Sequence, residues 1–130
     1  MPACLRMVLA GFGVEITEAE LRRACDTTPL GTDALKAVDC ARWLGFAQTA
    51  KHTLTVEALA TLAASSVHPI AFVSLLPIDG FRDTHALVII EVSENAVVVY
   101  DPLAGERRLP LPTFNAAWAM RHNLAIIIEK

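Results

Sequence analysis

HALVIIEVSENAVVVYDP, residues 85–102, consists of two runs rich in β-branched residues on either side of Ser93, Glu94 and Asn95. Two such runs joined by a short polar segment predict a β-hairpin. The first run is apolar at consecutive positions, which is typical of a strand that is buried on both faces. We therefore expect residues 85–92 to be a central strand of a sheet.

The hairpin carries a histidine at its start and an aspartate at its end. With a three-residue loop centred on Glu94, Asp101 lies opposite Leu87, and His85 lies two residues further along the same face, because strand side chains alternate. Such diagonal neighbours are roughly 7–8 Å apart at the backbone, a gap that an imidazole and a carboxylate close. A two-residue loop would place them on opposite faces, so the prediction depends on the turn.

A carboxylate bonded to one ring nitrogen of a histidine selects its tautomer and favours the imidazolium. The other ring nitrogen then acts as a base for a nucleophile. His85 and Asp101 are therefore candidate catalytic residues. The alternative is a histidine at a strand end beside a turn-forming Asp-Pro pair, and the spacing leaves it open.

The elements around the hairpin predict an α+β fold with N-terminal helices on a mostly antiparallel sheet. The first half is helical: an apolar period predicts a helix over 2–11, Thr17 and Glu20 form a capping box for a helix through Cys25, and Thr32 caps a third helix. Thr55 caps a fourth helix. The remaining predicted elements are strands at 46–52, 68–75, 106–111 and 123–130, a loop at 77–84 and a short helix at 113–120. Residues 1–130 are expected to form a single domain.

Composition excludes several functional classes. Of 130 residues, 54% are hydrophobic and 19% charged, and the net charge is −3 without a basic stripe, so no nucleic-acid partner is expected. No apolar run reaches the roughly 18 residues of a membrane span. The cysteines have no CxxC spacing and the histidines are dispersed, so we expect no disulfide framework, metal or cofactor. This cysteine usage favours a reducing cytoplasm.

Other residues with reactive or ligand-binding side chains are better explained as structural. The cysteines are expected in or near the core, as are both tryptophans, and the other histidines in loops or at strand ends: Cys4, Cys25, Cys40, Trp43, Trp118, His52, His68 and His122. Asp79, Arg82 and Asp83 either line a cleft beside His85 or, as we rather expect, lie in a solvated loop. Residues 105–108, GERR, are expected to form an exposed turn.

These motifs and their order resemble the bacteriocin-processing peptidases, which are papain-like cysteine peptidases that cut leader peptides after a double glycine. MPACLRMVLAGFG, residues 1–13, resembles the opening motif of that family, roughly Asp-Cys-Gly-Pro-Ala-Cys-Leu-x-Met-Val-Leu with a later Gly. HALVII resembles its histidine strand and VVVYDPLAG its Asp-Pro strand end. ITEAELRRAC and GTDALKAVDCARWLGF fit the middle of the family pattern, and Phe114 and Trp118 fit its closing helix.

The resemblance implies that His85 and Asp101 are catalytic and that the nucleophilic cysteine stands one residue before Met1. Met1 fills the following position, and a glutamine that helps to bind the oxyanion in the family would also lie upstream. A helix N-terminus stabilises a thiolate through its dipole and its unpaired N–H groups. We therefore expect a peptidase-like domain that starts just after the nucleophile position and, as given, has no peptidase activity.

Three hypotheses about function follow. In the first, the reading frame extends upstream through the cysteine, and the protein is an active peptidase. In the second, it is a non-catalytic domain that binds a peptide or leader segment and associates with a transporter. In the third, it is an unrelated α+β domain with a structural or interaction role.

Overall fold

A six-stranded antiparallel sheet forms the middle of the computed structural model, which describes residues 1–25 and 34–130. The strand order is β1-β6-β2-β3-β4-β5. The strands are β1 (Ala50–Thr53), β2 (Ile70–Ser74), β3 (Thr84–Val92), β4 (Ala96–Asp101), β5 (Gly105–Pro110) and β6 (Leu124–Ile127). The helices are α1 (Pro2–Gly11), α2 (Glu18–Ala24), α3 (Ala34–Trp43), α4 (Val56–Ala64), α5 (Leu76–Asp79) and α6 (Leu111–Ala119).

Helices cover both faces of this sheet. Alternate side chains of β2 point to opposite sides, so Ile70 and Phe72 pack with α1, α2 and α3, while Ala71 and Val73 pack with α4 and α6. The predicted α+β fold, with N-terminal helices on an antiparallel sheet, is confirmed. Strand β3 has neighbours on both sides, as its apolar character predicted.

The N-terminal caps agree with the sequence where the structure describes them. The Thr17 hydroxyl accepts a hydrogen bond from the Glu20 N–H, and the Glu20 carboxylate accepts one from the Thr17 N–H, which completes the capping box of α2. Thr55 caps α4 by accepting from Ala58 N–H. The predicted cap at Thr32 lies outside the described residues.

Three expectations about local structure are wrong. Trp43 was expected in the core but is 78% exposed, because the buried side of α3 runs through Val38 and Ala41 and leaves Trp43 on the outer side. Trp118 is fully buried, as expected. The predicted loop 77–84 begins inside a single helical turn, α5, which is capped after Asp79 by Gly80 with φ +82°, a left-handed conformation that suits glycine. Residues 105–108 belong to β5 and not to an exposed turn.

No helix among the described residues has both the length and the apolar character that a bilayer crossing requires.

Candidate active site

The register of the β3–β4 hairpin changes along its length. Near the turn Glu91 pairs with Val98, and the Ser93 N–H donates to the Ala96 carbonyl, which is the register of a two-residue turn. Beyond an irregularity between Ile89 and Glu91, Ile89 pairs with Val99. One extra residue of β3 is therefore accommodated as a β-bulge.

The bulge determines which face the candidate residues share. The predicted register, that of a three-residue loop along the whole hairpin, is wrong near the turn. If the two-residue-turn register continued along the hairpin, His85 and Asp101 would lie on opposite faces of the sheet. Beyond the bulge Val88 pairs with Tyr100, and the same register continued by one residue places Asp101 opposite Leu87, as predicted. The bulge thus brings His85 and Asp101 to one face.

His85 and Asp101 are in direct contact. His85 Nε2 lies 2.8 Å from Asp101 Oδ1. An ionised carboxylate only accepts hydrogen bonds, so the Nε2–H must donate, and Nδ1 remains for another partner. Asp101 is 3% exposed, and its Oδ1 also accepts from the Leu103 N–H at 2.8 Å.

The surroundings of Asp101 favour its ionised form. Burial raises the pKa of Asp101, but the hydrogen bonds from His85, the Leu103 N–H and Arg107 outweigh burial, so the pKa lies below its ordinary value. Asp101 is therefore a carboxylate at neutral pH, suited to hold the imidazole ring and to stabilise an imidazolium.

Arg107 is a site residue that the sequence analysis missed. Arg107 Nη1 donates to Asp101 Oδ2 at 3.3 Å and to Asp79 Oδ2 at 3.1 Å, and Nη2 donates to Asp79 Oδ1 at 3.0 Å. The hydrogen bond from Arg107 lowers the pKa of Asp79 below its ordinary value. The sequence feature that could have indicated this role is the alternation along β5, which puts Arg107 on the same face of the sheet as the buried Leu109.

A cavity of about 530 Å³ opens beside His85 and Asp101. Asp79, Arg82 and Asp83 lie on its lining, as do the exposed side chains of Phe81 and Leu103. Residues 79–83 are therefore solvent-exposed and at the same time form part of the cleft rim, so both descriptions apply to them.

The first turn of α1 contacts the strand next to His85. The Cys4 thiol donates to the Ala86 carbonyl at 3.3 Å, so the N-terminal end of α1 is held beside the start of β3. Burial, partly offset by the N-terminal ammonium, raises the pKa of Cys4 to about 12. Cys4 is a buried structural thiol, as predicted, and cannot supply a thiolate at neutral pH.

The other candidate residues do not join the site. Cys25 and Cys40 are buried with α2 and α3, and burial raises the pKa of Cys25. His68 Nδ1–H donates to the Ile89 carbonyl at 3.0 Å. His52 lies on β1, and His122 lies after α6 with φ +58°. In the described parts of the chain, 1–25 and 34–130, no cluster of three or more His, Cys, Asp or Glu side chains is arranged to hold a metal ion.

A histidine–aspartate pair beside the first turn of α1 is the arrangement that the sequence resemblance implied. The sequence model of the Peptidase C39 family matches residues 1–130. The chain belongs to the Peptidase C39 family. The predicted family membership is confirmed at the level of the Peptidase C39 family.

Solved structures of C39 peptidases share this fold. The peptidase domain of Streptococcus ComA, a bifunctional ABC transporter involved in a quorum-sensing pathway, is 27% identical, with a TM-score of 0.80 over 99% of this chain and 90% of that one. A C39-like peptidase from Bacillus anthracis is 15% identical, with a TM-score of 0.83 over 99% of this chain and 87% of that one.

A third solved structure with this fold contains a bound leader peptide. The double-glycine-motif protease from an AMS/PCAT transporter, in complex with the leader peptide, is 19% identical, with a TM-score of 0.74 over 97% of this chain and 80% of that one. At their low identities, this protease and the Bacillus anthracis protein show the fold alone. No curated protein matches the chain.

Proposed function

We propose that this domain is the histidine–aspartate part of a cysteine-peptidase centre that cleaves leader peptides after a double glycine, and that its nucleophile belongs immediately before Met1. The contact between His85 and Asp101, 2.8 Å long and next to the first turn of α1, carries the proposal. Family membership and the 27% identity to a transporter peptidase domain support it.

The proposed chemistry uses each part of this geometry. Asp101 accepts the Nε2–H of His85, so Nδ1 takes the proton of a cysteine thiol and leaves a thiolate beside an imidazolium. The thiolate attacks the scissile carbonyl carbon, and the imidazolium protonates the departing amine. Water then hydrolyses the thioester, which releases the leader and regenerates the thiol. The positive end of the α1 dipole stabilises the negative charge in both steps.

None of the three cysteines of the 130-residue chain is placed for this role, because Cys4, Cys25 and Cys40 are all buried. The chain as given is therefore expected to leave peptides intact. The deciding experiment adds a residue before Met1, in one variant Cys and in a matched variant Ala. Both are assayed against a peptide containing a double glycine and against the same peptide with both glycines replaced by leucine.

Cleavage after the double glycine by the Cys variant alone, and its loss on adding His85→Ala, is the expected result. A folded Cys variant that cleaves neither peptide, even when an upstream glutamine is also restored, contradicts the proposal.

A second candidate function is a non-catalytic domain that binds leader peptides. The observation that favours it is the burial of every cysteine in the chain. The preserved contact between His85 and Asp101 counts against it, since binding alone does not require that pair. Titration of the 130-residue chain with a fluorescent double-glycine peptide tests it, and an absence of saturable binding rejects it. The third hypothesis, an unrelated domain, is set aside by membership of the C39 family.

The proposal also covers location and partners. Related peptidase domains belong to ABC transporters, so we propose a leader peptide as substrate and a transporter as partner. Three free, buried thiols are compatible with the reducing cytoplasm, which we propose as the compartment. Co-purification of the domain with a transporter, or its recovery alone from the cytoplasmic fraction, distinguishes an attached from an independent peptidase.

A further inference from the structure

Arg107 lies between two carboxylates on the face that carries His85. We propose that Arg107, held by Asp79, is a positioning residue that orients the Asp101 carboxylate and, through it, the His85 ring. The catalytic part of this inference rests on the proposed peptidase function. Its structural part does not, because the orientation of the ring can be measured without turnover.

The sheet places the three side chains in order. Val99 of β4 pairs with Arg107 of β5, so Arg107 shares a face with Asp101, two residues further along β4. His85 lies on β3 on the other diagonal of Asp101, two residues before Leu87, the residue opposite Asp101. Asp101 therefore has the imidazole on one flank and the guanidinium on the other.

The hydrogen bonds of Asp101 show why a second support is needed. Oδ1 accepts from His85 Nε2–H and from the Leu103 N–H, both at 2.8 Å, whereas Oδ2 accepts from Arg107. The terminal torsion of an aspartate is broad and roughly twofold. Holding Oδ2 removes the freedom that would let the carboxylate rotate and carry Oδ1 away from the imidazole.

Asp79 gives the arginine a fixed position and balances its charge. The two parallel hydrogen bonds to Asp79, 3.0 and 3.1 Å long, fix the plane of the guanidinium. Arg107 alone beside Asp101 would cancel the negative charge that Asp101 presents to the imidazole. With Asp79 included, the three groups carry one net negative charge, which still favours an imidazolium.

The same contacts join the cleft rim to the site. Asp79 ends α5, between β2 and β3, whereas Arg107 belongs to the edge strand β5. The Asp79–Arg107 pair therefore bridges two sides of the cavity beside His85.

The direct test is ring-nitrogen NMR of the 130-residue chain labelled at histidine. At a pH where the ring is neutral, the unaltered chain is expected to carry the His85 ring proton on Nε2. Arg107→Gln should give a mixture of both His85 tautomers. It should also raise the pKa of Asp101, which is measured from the pH dependence of the Asp101 carboxyl carbon signal. Arg107→Lys keeps the positive charge but lacks the planar guanidinium. Compared with Arg107→Gln, it should therefore bring the pKa of Asp101 back toward the parent value while the His85 tautomers remain mixed.

Arg108→Gln is the matched control, because Arg108 is exposed on the opposite face of the same strand and should change neither signal. If Arg107→Gln fails to fold, Arg107→Lys and Asp79→Asn carry the test, and both are expected to mix the tautomers. A pure Nε2–H tautomer in every folded variant of Arg107 and Asp79 overturns the proposal.

The kinetic consequence is measured in the variant with Cys before Met1. Arg107→Gln is expected to lower kcat about tenfold or more with little change in KM, since a misplaced base slows the chemical step. If Arg107→Gln has mixed His85 tautomers but the same kcat as the parent Cys variant, the proposed effect of Arg107 on catalysis is rejected. If the parent Cys variant is itself inactive, the proposed function fails, whereas the tautomer measurement still decides the positioning role.

Discussion

At the scale of single residues, the site depends on one buried carboxylate that is kept ionised. Asp101 is buried by the sheet, yet hydrogen bonds from His85, Leu103 and Arg107 hold its pKa below the ordinary value. Because this pKa is lower than in the unfolded chain, ionisation of Asp101 favours the native state. The same residue therefore serves both stability and the proposed chemistry.

The first prediction concerns stability in acid. Because the pKa of Asp101 is lower in the native than in the unfolded chain, its contribution is fully present above the unfolded value of about 3.9 and is lost as the pH falls through the native value. The free energy of unfolding, measured by urea denaturation between pH 2 and pH 6, should fall less steeply with acid in Asp101→Asn than in the parent. Equal slopes would mean that Asp101 has no shifted pKa.

The second prediction concerns thiol reactivity. Burial raises the pKa of Cys4 to about 12, so little thiolate forms at pH 8. Iodoacetamide should leave Cys4 unmodified in the folded chain and alkylate it after denaturation, as followed by mass spectrometry. In the variant with Cys before Met1, the added residue should react first, and Cys4→Ala should retain activity. Rapid alkylation of native Cys4 would contradict its assignment as structural.

At the scale of elements, caps and a bulge set where helices start and where strands are in register. The capping box of Thr17 and Glu20 starts α2. The bulge between Ile89 and Glu91 changes the register of β3 against β4 and so aligns His85 with Asp101. Small backbone features thus determine which side chains meet.

The third prediction compares one substitution at two helical positions. Thr17→Ala removes the cap of α2 and should lower the free energy of unfolding by about 1 kcal/mol. Thr61→Ala, inside α4, should be neutral or slightly stabilising, because alanine has the higher helix propensity and the Thr61 hydroxyl bonds only the Glu57 carbonyl of its own helix. Chemical denaturation measures both. Equal losses would show that the cap contributes nothing specific.

At the scale of the molecule, the sheet separates two apolar layers. Helices α1, α2 and α3 pack on one face, and α4 and α6 on the other. Phe114 and Trp118 of α6 are fully buried in the second layer, with ring centroids 5.5 Å apart. His85 and Asp101 lie at the ends of two strands, β3 and β4, that belong to this layered sheet.

The fourth prediction follows from this layering. Phe114→Ala should lower the free energy of unfolding by about 3–5 kcal/mol, because it leaves a cavity beside Trp118. Phe81→Ala, at a side chain that is 64% exposed, should change it by at most about 0.5 kcal/mol. Urea denaturation followed by tryptophan fluorescence compares them. Similar losses from both substitutions would contradict the assignment of Phe114 to the core.

Local signals in the chain predicted most elements, because capping, helical periodicity and β-branched runs act over a few residues. Pro2–Gly11, the α2 cap and the β3–β4 hairpin were all predictable in this way. The pairing of His85 with Asp101 was predicted from a three-residue turn, whereas in the structure it depends on the β-bulge between Ile89 and Glu91, which the sequence did not predict.

Features that depend on distant parts of the chain were not predictable. Arg107 and Asp79 are 28 positions apart, and they meet because the sheet places β5 near the end of α5. The exposure of Trp43 depends on which side of α3 packs against α1 and the sheet. The sequence by itself determines the helices, strands and caps, because these depend on residues a few positions apart. Only the packing between separate elements determines which charges are paired and which aromatic side chains are buried.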